Sequence, residues 1–202
     1  HVLDLMENDD VADLLEELGP EETDQLLGSM RTDEALVVRN LLTYPPETAG
    51  RLMTNRFIWV GEDFTVGETV EKMRDYIEYS ETINYVYVVN QLSELVGVIS
   101  YRDVILAENT ERISDVMETK VIRVAAETDQ EEVAQLFERY DLVSLPVVEG
   151  DVLVGLITVD DALDVLREEA NEDIEKLSAS GKSIDFETKP WIAATRRLPW
   201  LV

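Results

Sequence analysis

Four carboxylates near the end of the chain have the spacing of a single helical face. They stand at positions i, i+3, i+7 and i+11, and are Asp161, Asp164, Glu168 and Glu172. Residues with this spacing lie on one side of an α-helix. Mg²⁺ binds carboxylate oxygens and keeps part of its water shell, so it can bridge two acidic surfaces without a dedicated cage. The stripe is therefore compatible with a cation site, and it is equally compatible with a solvated helix face.

Asp9 and Asp13 form a second acidic pair, four residues apart in the first helical segment. Like charges at this spacing destabilise an isolated helix by about 0.2–0.5 kcal/mol. The whole chain shows the same imbalance, because 44 acidic residues against 17 basic residues give a net charge of −27. Such a charge argues against nucleic acid or an anionic membrane surface as a partner for most of the surface.

The residue composition also limits the chemistry. The chain has no cysteine, and its single histidine is His1. Thiolate chemistry, zinc sites of the usual kind and histidine-based catalysis are therefore excluded. An enzyme that uses paired carboxylates as acid and base stays open as a minor alternative.

A repeated phrase supplies the second candidate site. LVGVISYRDVILA returns about 58 residues later as LVGLITVDDALDV. Each copy has a hydroxyl residue three positions before an aspartate, where a strand turns into a helix. This spacing is typical of a capping box, which satisfies free N–H groups of the first turn. It also places a hydroxyl and an acid where they could hold the ribose and phosphate of a nucleotide. The two pairs are Ser100 with Asp103, and Thr158 with Asp161.

The elements that must position these residues follow from the spacing of apolar side chains. Residues 1–50 show leucines at helical spacing in three short segments, the first of which ends at Gly19-Pro20. Segments of this kind favour stacked helical hairpins. Two repeats follow, each with a methionine phrase, an amphipathic helix, two short strands and a final helix. We predict an α+β protein in which the two repeats bury their sheets against each other.

The paired repeats resemble a tandem of CBS domains. Together with the phrases YPPETAGRLMT and EEANEDIEKL, the chain resembles the cytosolic region of an MgtE-type magnesium transporter. The resemblance implies a superhelical N-domain fragment at 1–51, β-α-β-β-α CBS domains at 52–110 and 111–170, and a connecting (plug) helix at 171–202. It also implies a homodimer through the CBS domains, and a transmembrane pore domain at the inner membrane with this region on its cytoplasmic side.

The resemblance assigns roles to particular acids. It implies Mg²⁺ bound between the N domain, the CBS pair and the connecting helix, so that the pore closes when Mg²⁺ is abundant. The matching acids are Asp9 and Asp13 in the N domain, Asp141, Asp161 and Asp164 in the CBS pair, and Glu172 and Asp173 in the connecting helix.

The resemblance further implies a site for an adenosine nucleotide such as ATP in the first repeat. Tyr85 would stack on the base, Arg102 would contact the phosphates, and Ser100 and Asp103 would hold the ribose. Leu142 stands where an aromatic residue could also hold the base. The alternative is a nucleotide-sensing CBS module that regulates a soluble enzyme. Against it count the acid stripe and the apolar segment Leu198–Val202, which follows Arg196 and Arg197 and is typical of the approach to a membrane helix.

Overall fold

The computed structural model describes residues 6–16, 18–76 and 84–180, and for residues 172, 173 and 175–180 it describes the backbone alone. The chain divides into two compact units, His1–Val165 and Leu166–Val202. The apolar segment Leu198–Val202 lies outside the described residues. Within the described part of the chain, every helix is too short or too polar to cross a membrane.

Three short helices open the fold, as the leucine spacing predicts. They are α1 (Asn8–Glu16), α2 (Pro20–Ser29) and α3 (Thr32–Leu41). Pro20 begins α2 because the first position of a helix needs no N–H donor. Val11 and Leu15 of α1 are buried in the same apolar cluster as Phe137 and Ala162 of the second repeat. The helical segment therefore shares its core with the second repeat.

Each repeat forms a three-stranded sheet of the same topology. The first repeat contains β1 (Trp59–Gly61), α5 (Val66–Tyr76), β2 (Tyr85–Val89), β3 (Leu95–Ser100) and α6 (Tyr101–Leu106), preceded by the short helix α4 (Ala49–Leu52). The second contains α7 (Ile113–Val116), β4 (Val124–Ala125), α8 (Gln130–Tyr140), β5 (Ser144–Glu149), β6 (Val152–Thr158) and α9 (Val159–Ser180). The middle strand pairs in parallel with the first and antiparallel with the third. The β-α-β-β-α prediction is confirmed.

The methionine phrases are the segments around Met53 and Met117 that open the two repeats. They exchange places between the repeats. Thr54 and Leu156 are joined by two backbone hydrogen bonds of 2.7 and 3.0 Å, and Glu118 and Val98 by two of 2.8 and 2.9 Å. The phrase that opens each repeat in the sequence therefore packs on the sheet of the other repeat. Sequence spacing assigned each phrase to the unit that it opens, since the pairing of Thr54 with Leu156, about 100 residues apart, leaves no local pattern.

Two glycines make room for the exchanged methionines. A Cβ atom at Gly155 would lie 2.5 Å from Cγ of Met53, and one at Gly97 would lie 2.9 Å from Cγ of Met117. Real side chains do not approach so closely, so each strand needs a residue without a side chain at this point. This explains the glycine in both copies of the repeated phrase.

The turns between the paired strands also meet in a reciprocal way. The N–H of Leu95 donates to the carbonyl of Asp151 at 2.8 Å, and the N–H of Leu153 donates to the carbonyl of Ser93 at 3.1 Å. Tyr87 is 2 % exposed and belongs to the apolar cluster that joins these two turns. The two repeats therefore form one body related by an approximate two-fold axis.

We expect Gly155→Ala to destabilise the fold by about 1–3 kcal/mol, because the new methyl group overpacks against Met53. Urea unfolding measures the change. The matched control is Gly28→Ala, at an exposed position of α2 with no atom within 4 Å of the added methyl group. This control should be neutral or stabilising by up to about 1 kcal/mol. Equal effects of the two substitutions would contradict the exchanged packing.

Candidate metal and nucleotide sites

The first turns of α1 and α9 bring acidic side chains together. Asp9 is only 5 % exposed, and its Oδ1 atom has no hydrogen-bond partner among the described residues. Burial and then the charge of Asp161 raise the pKa of Asp9 to about 7, and Glu7 and Asp10 add to the increase. A buried carboxylate oxygen without a partner is costly, so burial favours a bound proton or a cation at this side chain.

Asp161 is half-buried and is held in place by Thr158. The backbone N–H of Thr158 donates to Oδ2 of Asp161 at 3.3 Å, and the Thr158 hydroxyl donates to the same atom. Burial raises the pKa of Asp161, and the nearby charges of Asp160 and Asp10 raise it further, whereas the two Thr158 hydrogen bonds lower it. The capping geometry predicted for this phrase is present, and it fixes one carboxylate beside the buried end of α1.

Glu7 extends the acidic cluster, which we define as Glu7, Asp9, Asp10, Asp160 and Asp161. Burial, then Asp10, Asp161 and Asp160, raise the pKa of Glu7. Among the described residues no three acidic side chains converge into a ready-made metal cage. Two opposed sets of acids without a cage are suited to a hydrated ion such as Mg²⁺, which keeps several waters and takes one or two carboxylates.

The other predicted metal ligands lie in different surroundings. Asp13 is on α1 and pairs with Arg51, with 3.7 Å between Oδ1 and Nε. Asp164 is exposed on α9, and Asp141 ends α8 in a left-handed conformation with φ of 50°. Glu172 and Asp173 lie on α9, but their side chains are outside the described set. The structure thus brings Asp9 and Asp161 together.

A cleft of about 210 Å³ lies beside the first repeat's strands. Its lining includes Tyr85, Tyr140, Asp141 and Leu142, together with Lys120. Tyr85 and Leu142 therefore line the same cleft. Asp141 lines this cleft and does not belong to the acidic cluster. Its negative charge would repel a phosphate group bound in the cleft.

The remaining predicted nucleotide ligands gather at one end of β3. Ser100 lies directly opposite Tyr85 in the β2–β3 ladder. The Ser100 hydroxyl donates to Oδ2 of Asp103 at 2.6 Å and accepts from the Asp103 N–H at 3.1 Å. Arg102 is exposed in the same turn. The capping box is formed, and the hydroxyl and acid must exchange these bonds for bonds to a ribose if a nucleotide binds.

The equivalent position of the second repeat has a different residue. Ser144 pairs with Thr158 as Tyr85 pairs with Ser100, so the second repeat has no aromatic residue at this position. Nearby, Nη2 of Arg56 donates to the carbonyl of Met6 at 3.1 Å. Asn8, which is 1 % exposed, donates to Oδ1 of Asn55 at 3.0 Å. Residues just before Asp9 thus contact the segment that follows α4.

Comparison with protein families and solved structures agrees with this architecture. The CBS domain model matches residues 49–109 and 113–168, and the MgtE intracellular N domain model matches residues 1–47. The chain belongs to the CBS-domain family, with an MgtE N domain ahead of its CBS pair. The magnesium transporter MgtE of Bacillus subtilis is 52 % identical over 198 residues, which is 98 % of this chain and 44 % of that protein. The chain thus spans less than half of that relative.

Two solved structures show the same arrangement. One is the soluble part of a magnesium transporter, with a TM-score of 0.78, 39 % identity, and coverage of 82 % of this chain and 65 % of that chain. The other is the cytosolic domain of the Mg²⁺ channel MgtE in complex with ATP, with a TM-score of 0.76, 40 % identity, and coverage of 79 % and 66 %. These likenesses confirm the α+β fold and the MgtE-type resemblance.

Sequence reasoning missed part of the acidic cluster. Glu7 and Asp10 flank Asp9, and the run of four polar residues at 7–10 carries the signal, but helical spacing alone did not separate the buried acid from its neighbours. Arg51 was also missed as a buried cation beside α1. Its position within the phrase TAGRLM, between small and apolar residues, was the available signal.

The raised pKa of Asp9 has a consequence for stability. Its carboxyl group binds a proton more tightly in the folded chain than in the unfolded chain, so the contribution of this group falls as pH rises from about 4 through 7. In EDTA, we expect Asp9→Asn to remove this loss and to stabilise the chain by about 2–4 kcal/mol at pH 8. Urea unfolding between pH 5 and 8 measures it.

The matched control for this experiment is Glu138→Gln, at an exposed position on α8. It removes one negative charge as Asp9→Asn does, and it should leave the pH dependence of the native chain intact. If Asp9→Asn and Glu138→Gln behave alike across this pH range, the buried carboxylate is not the source of the effect.

Proposed function

We propose that this chain is the cytosolic, Mg²⁺-sensing regulatory region of a magnesium channel or transporter. The observation that carries the proposal is the buried carboxylate of Asp9 beside Asp161, at the junction of the helical domain and the second CBS domain, with an Oδ1 atom that has no hydrogen-bond partner among the described residues. The relatives that are 40 % identical or more are magnesium transporters, which makes Mg²⁺ the relevant cation. A chain with a net charge of −27 also needs a cation to bring its acidic surfaces together.

Electrostatics decides which arrangement Mg²⁺ favours. Two like charges 4 Å apart repel by about 1 kcal/mol in water and by more in a partly desolvated interface. Without metal, the acidic cluster opposes close packing of α1 on α9. Bound Mg²⁺ reverses the sign of that contact, and it stabilises the closed arrangement only through its higher affinity for that arrangement.

Several ions act together in this proposal. A shift from mostly open to mostly closed takes about 5.5 kcal/mol, which is more than one hydrated ion supplies. Asp9 and Asp161 fit a shared ion because Oδ1 of Asp9 lacks a hydrogen bond among the described residues. Further ions would use the other acids that the resemblance assigns to metal binding. These are Asp13, Asp141, Asp164, Glu172 and Asp173.

The intact protein extends the proposal beyond this chain. The chain spans 44 % of its Bacillus subtilis relative, so a pore domain in the inner membrane, with this region on the cytoplasmic side, belongs to the proposal. In such a protein the CBS pair forms a homodimer, and α9 leads into the helix that connects to the pore. Closure at high cytosolic Mg²⁺ is then negative feedback by the transported ion.

ATP is the proposed second ligand, in the cleft that Tyr85 lines. Support comes from the position of Ser100 opposite Tyr85 and from the ATP complex of the related Mg²⁺ channel. The alternative function is a nucleotide-sensing CBS module that regulates a soluble enzyme. Thermal melting with Mg²⁺, ATP and EDTA separates the two, because a sensor is stabilised by Mg²⁺ alone and the alternative responds to nucleotide alone.

We expect Mg²⁺ to contract the native chain and to protect it from proteolysis over a millimolar range, as weak water-retaining sites require. Asp161→Ala/Asp164→Ala should need more Mg²⁺ for the same change. Small-angle scattering and limited proteolysis across an Mg²⁺ titration measure both effects. The control is Glu132→Ala/Glu138→Ala, which removes two exposed acids of α8. A native chain with one radius and one cleavage pattern throughout would end the sensor proposal.

We expect Arg102→Ala to weaken ATP binding by about tenfold or more, because a charged hydrogen bond to phosphate is lost. Isothermal titration calorimetry measures the affinity. Arg74→Ala is the matched control, since Arg74 is an exposed arginine at the end of α5. Unchanged affinity in Arg102→Ala would move the nucleotide out of the first repeat.

A further inference from the structure

Arg51 is a buried cation at the junction between the helical domain and the CBS pair. It is 5 % exposed. Its Nη2 atom donates to the carbonyl of Ala12 at 2.6 Å and to Oε2 of Glu16 at 2.8 Å. Nε lies 3.7 Å from Oδ1 of Asp13. Three groups of α1 therefore gather around one guanidinium group.

The backbone that carries Arg51 is fixed to the second CBS domain. The N–H of Ala49 donates to the carbonyl of Thr128 at 2.7 Å, and the N–H of Gly50 donates to the carbonyl of Ala126 at 2.8 Å. Two residues after Arg51, Met53 packs against Gly155 of β6. Arg51 is thus a fixed cation of the CBS pair that reaches into the helical domain.

The contacts of Arg51 and the acidic cluster act on different parts of the same helix. Arg51 contacts α1 at Ala12 and Glu16, whereas Asp9 lies in the first turn of α1. These points are about 5–10 Å apart along the helix axis. The cation lies toward the negative end of the helix dipole, which strengthens the attraction. One part of α1 is therefore attracted to the second CBS domain while its first turn is repelled by Asp161.

We propose that Arg51 is the positioning residue of the Asp9–Asp161 metal site. It adds to the attraction between α1 and the second CBS domain, so less free energy is needed from Mg²⁺ to reach the docked arrangement, in which Asp9 lies beside Asp161. Pre-organisation of this kind lowers the Mg²⁺ concentration that closure requires, because less of the binding free energy goes into docking the helix. This inference rests on the proposed function and adds a residue that need not touch the metal.

Two donors of Arg51 remain available in this arrangement. Nε and Nη1 make no hydrogen bond within the described part of the chain, although both are buried. The Asp13 side chain is 65 % exposed and lies beside Nε. Asp13 can therefore shorten its contact with Arg51 as α1 docks more closely. The Asp13 carboxylate thus pairs with Arg51 and is also part of the acidic surface.

The test compares Arg51→Met with Arg51→Lys in the Mg²⁺ titration by scattering and limited proteolysis. Arg51→Met removes the charge and both hydrogen bonds, and should raise the Mg²⁺ midpoint by about tenfold or more. Arg51→Lys keeps the charge but loses the planar guanidinium group, whose Nη2 atom donates both hydrogen bonds. This variant should show a smaller increase in the Mg²⁺ midpoint. ATP affinity in the first cleft should stay unchanged in both variants. The control is Arg39→Met, since Arg39 is 54 % exposed and forms a 3.6 Å ion pair with Asp24.

Each outcome decides the proposal. A native chain that responds to Mg²⁺ while Arg51→Met keeps the native midpoint overturns the role of Arg51 and leaves the proposed function standing. A variant that loses melting temperature in EDTA without a change in midpoint shows a structural role only and also overturns it. If Arg51→Met does not fold, Glu16→Gln takes its place, and an unchanged midpoint there overturns the proposal. A native chain without any Mg²⁺ response defeats both proposals.

Discussion

The exchange of methionine phrases between the two repeats fixes the geometry on which the candidate sites depend. Because Thr54 pairs with Leu156, the segment that follows the helical domain lies on the sheet of the second repeat. Helix α4, which contains Arg51, lies just before Thr54 in the chain. Helix α1 packs against α4 and against Arg51. The position of Asp9 beside Asp161 therefore follows from a backbone pairing between the segment after the helical domain and the strand that ends just before Asp161.

Two opposing forces act on the junction that this pairing creates. Burial of Val11 and Leu15 with Phe137 and Ala162 draws the helical domain onto the second repeat. Burial of Asp9 opposes it, and so does the charge of Asp161. A junction held by apolar contacts and opposed by like charges can be shifted by a cation of modest affinity. That balance, rather than a preformed cage, is the physical basis of the sensing proposal.

The elements were predictable because their signals are local. Leucine spacing and Gly19-Pro20 gave the first helices, and the repeated strand-to-helix phrase located β3, β6 and both capping pairs. The exchange was not predictable from local patterns, since Thr54 and Leu156 are about 100 residues apart. Burial of Asp9 could not be predicted either, because its neighbours Glu7 and Asp10 have the same charge. Only the packing of α1 distinguishes the three acids. The resemblance predicted Asp9 and Asp161 as metal ligands, whereas the contacts of Arg51 required the structure.

The paired exchange also dictates an order of events during synthesis of the chain. The sheet of the first repeat receives Glu118 of the second, and the phrase around Thr54 finds its place only after Leu156 has been made. At about 5–20 residues per second, a ribosome needs roughly 5–20 s to cover the intervening stretch. Over that interval Met53 and the apolar face of α4 are exposed without their partner. Contacts of such high sequence separation slow folding, so the two repeats complete their structure together rather than in succession.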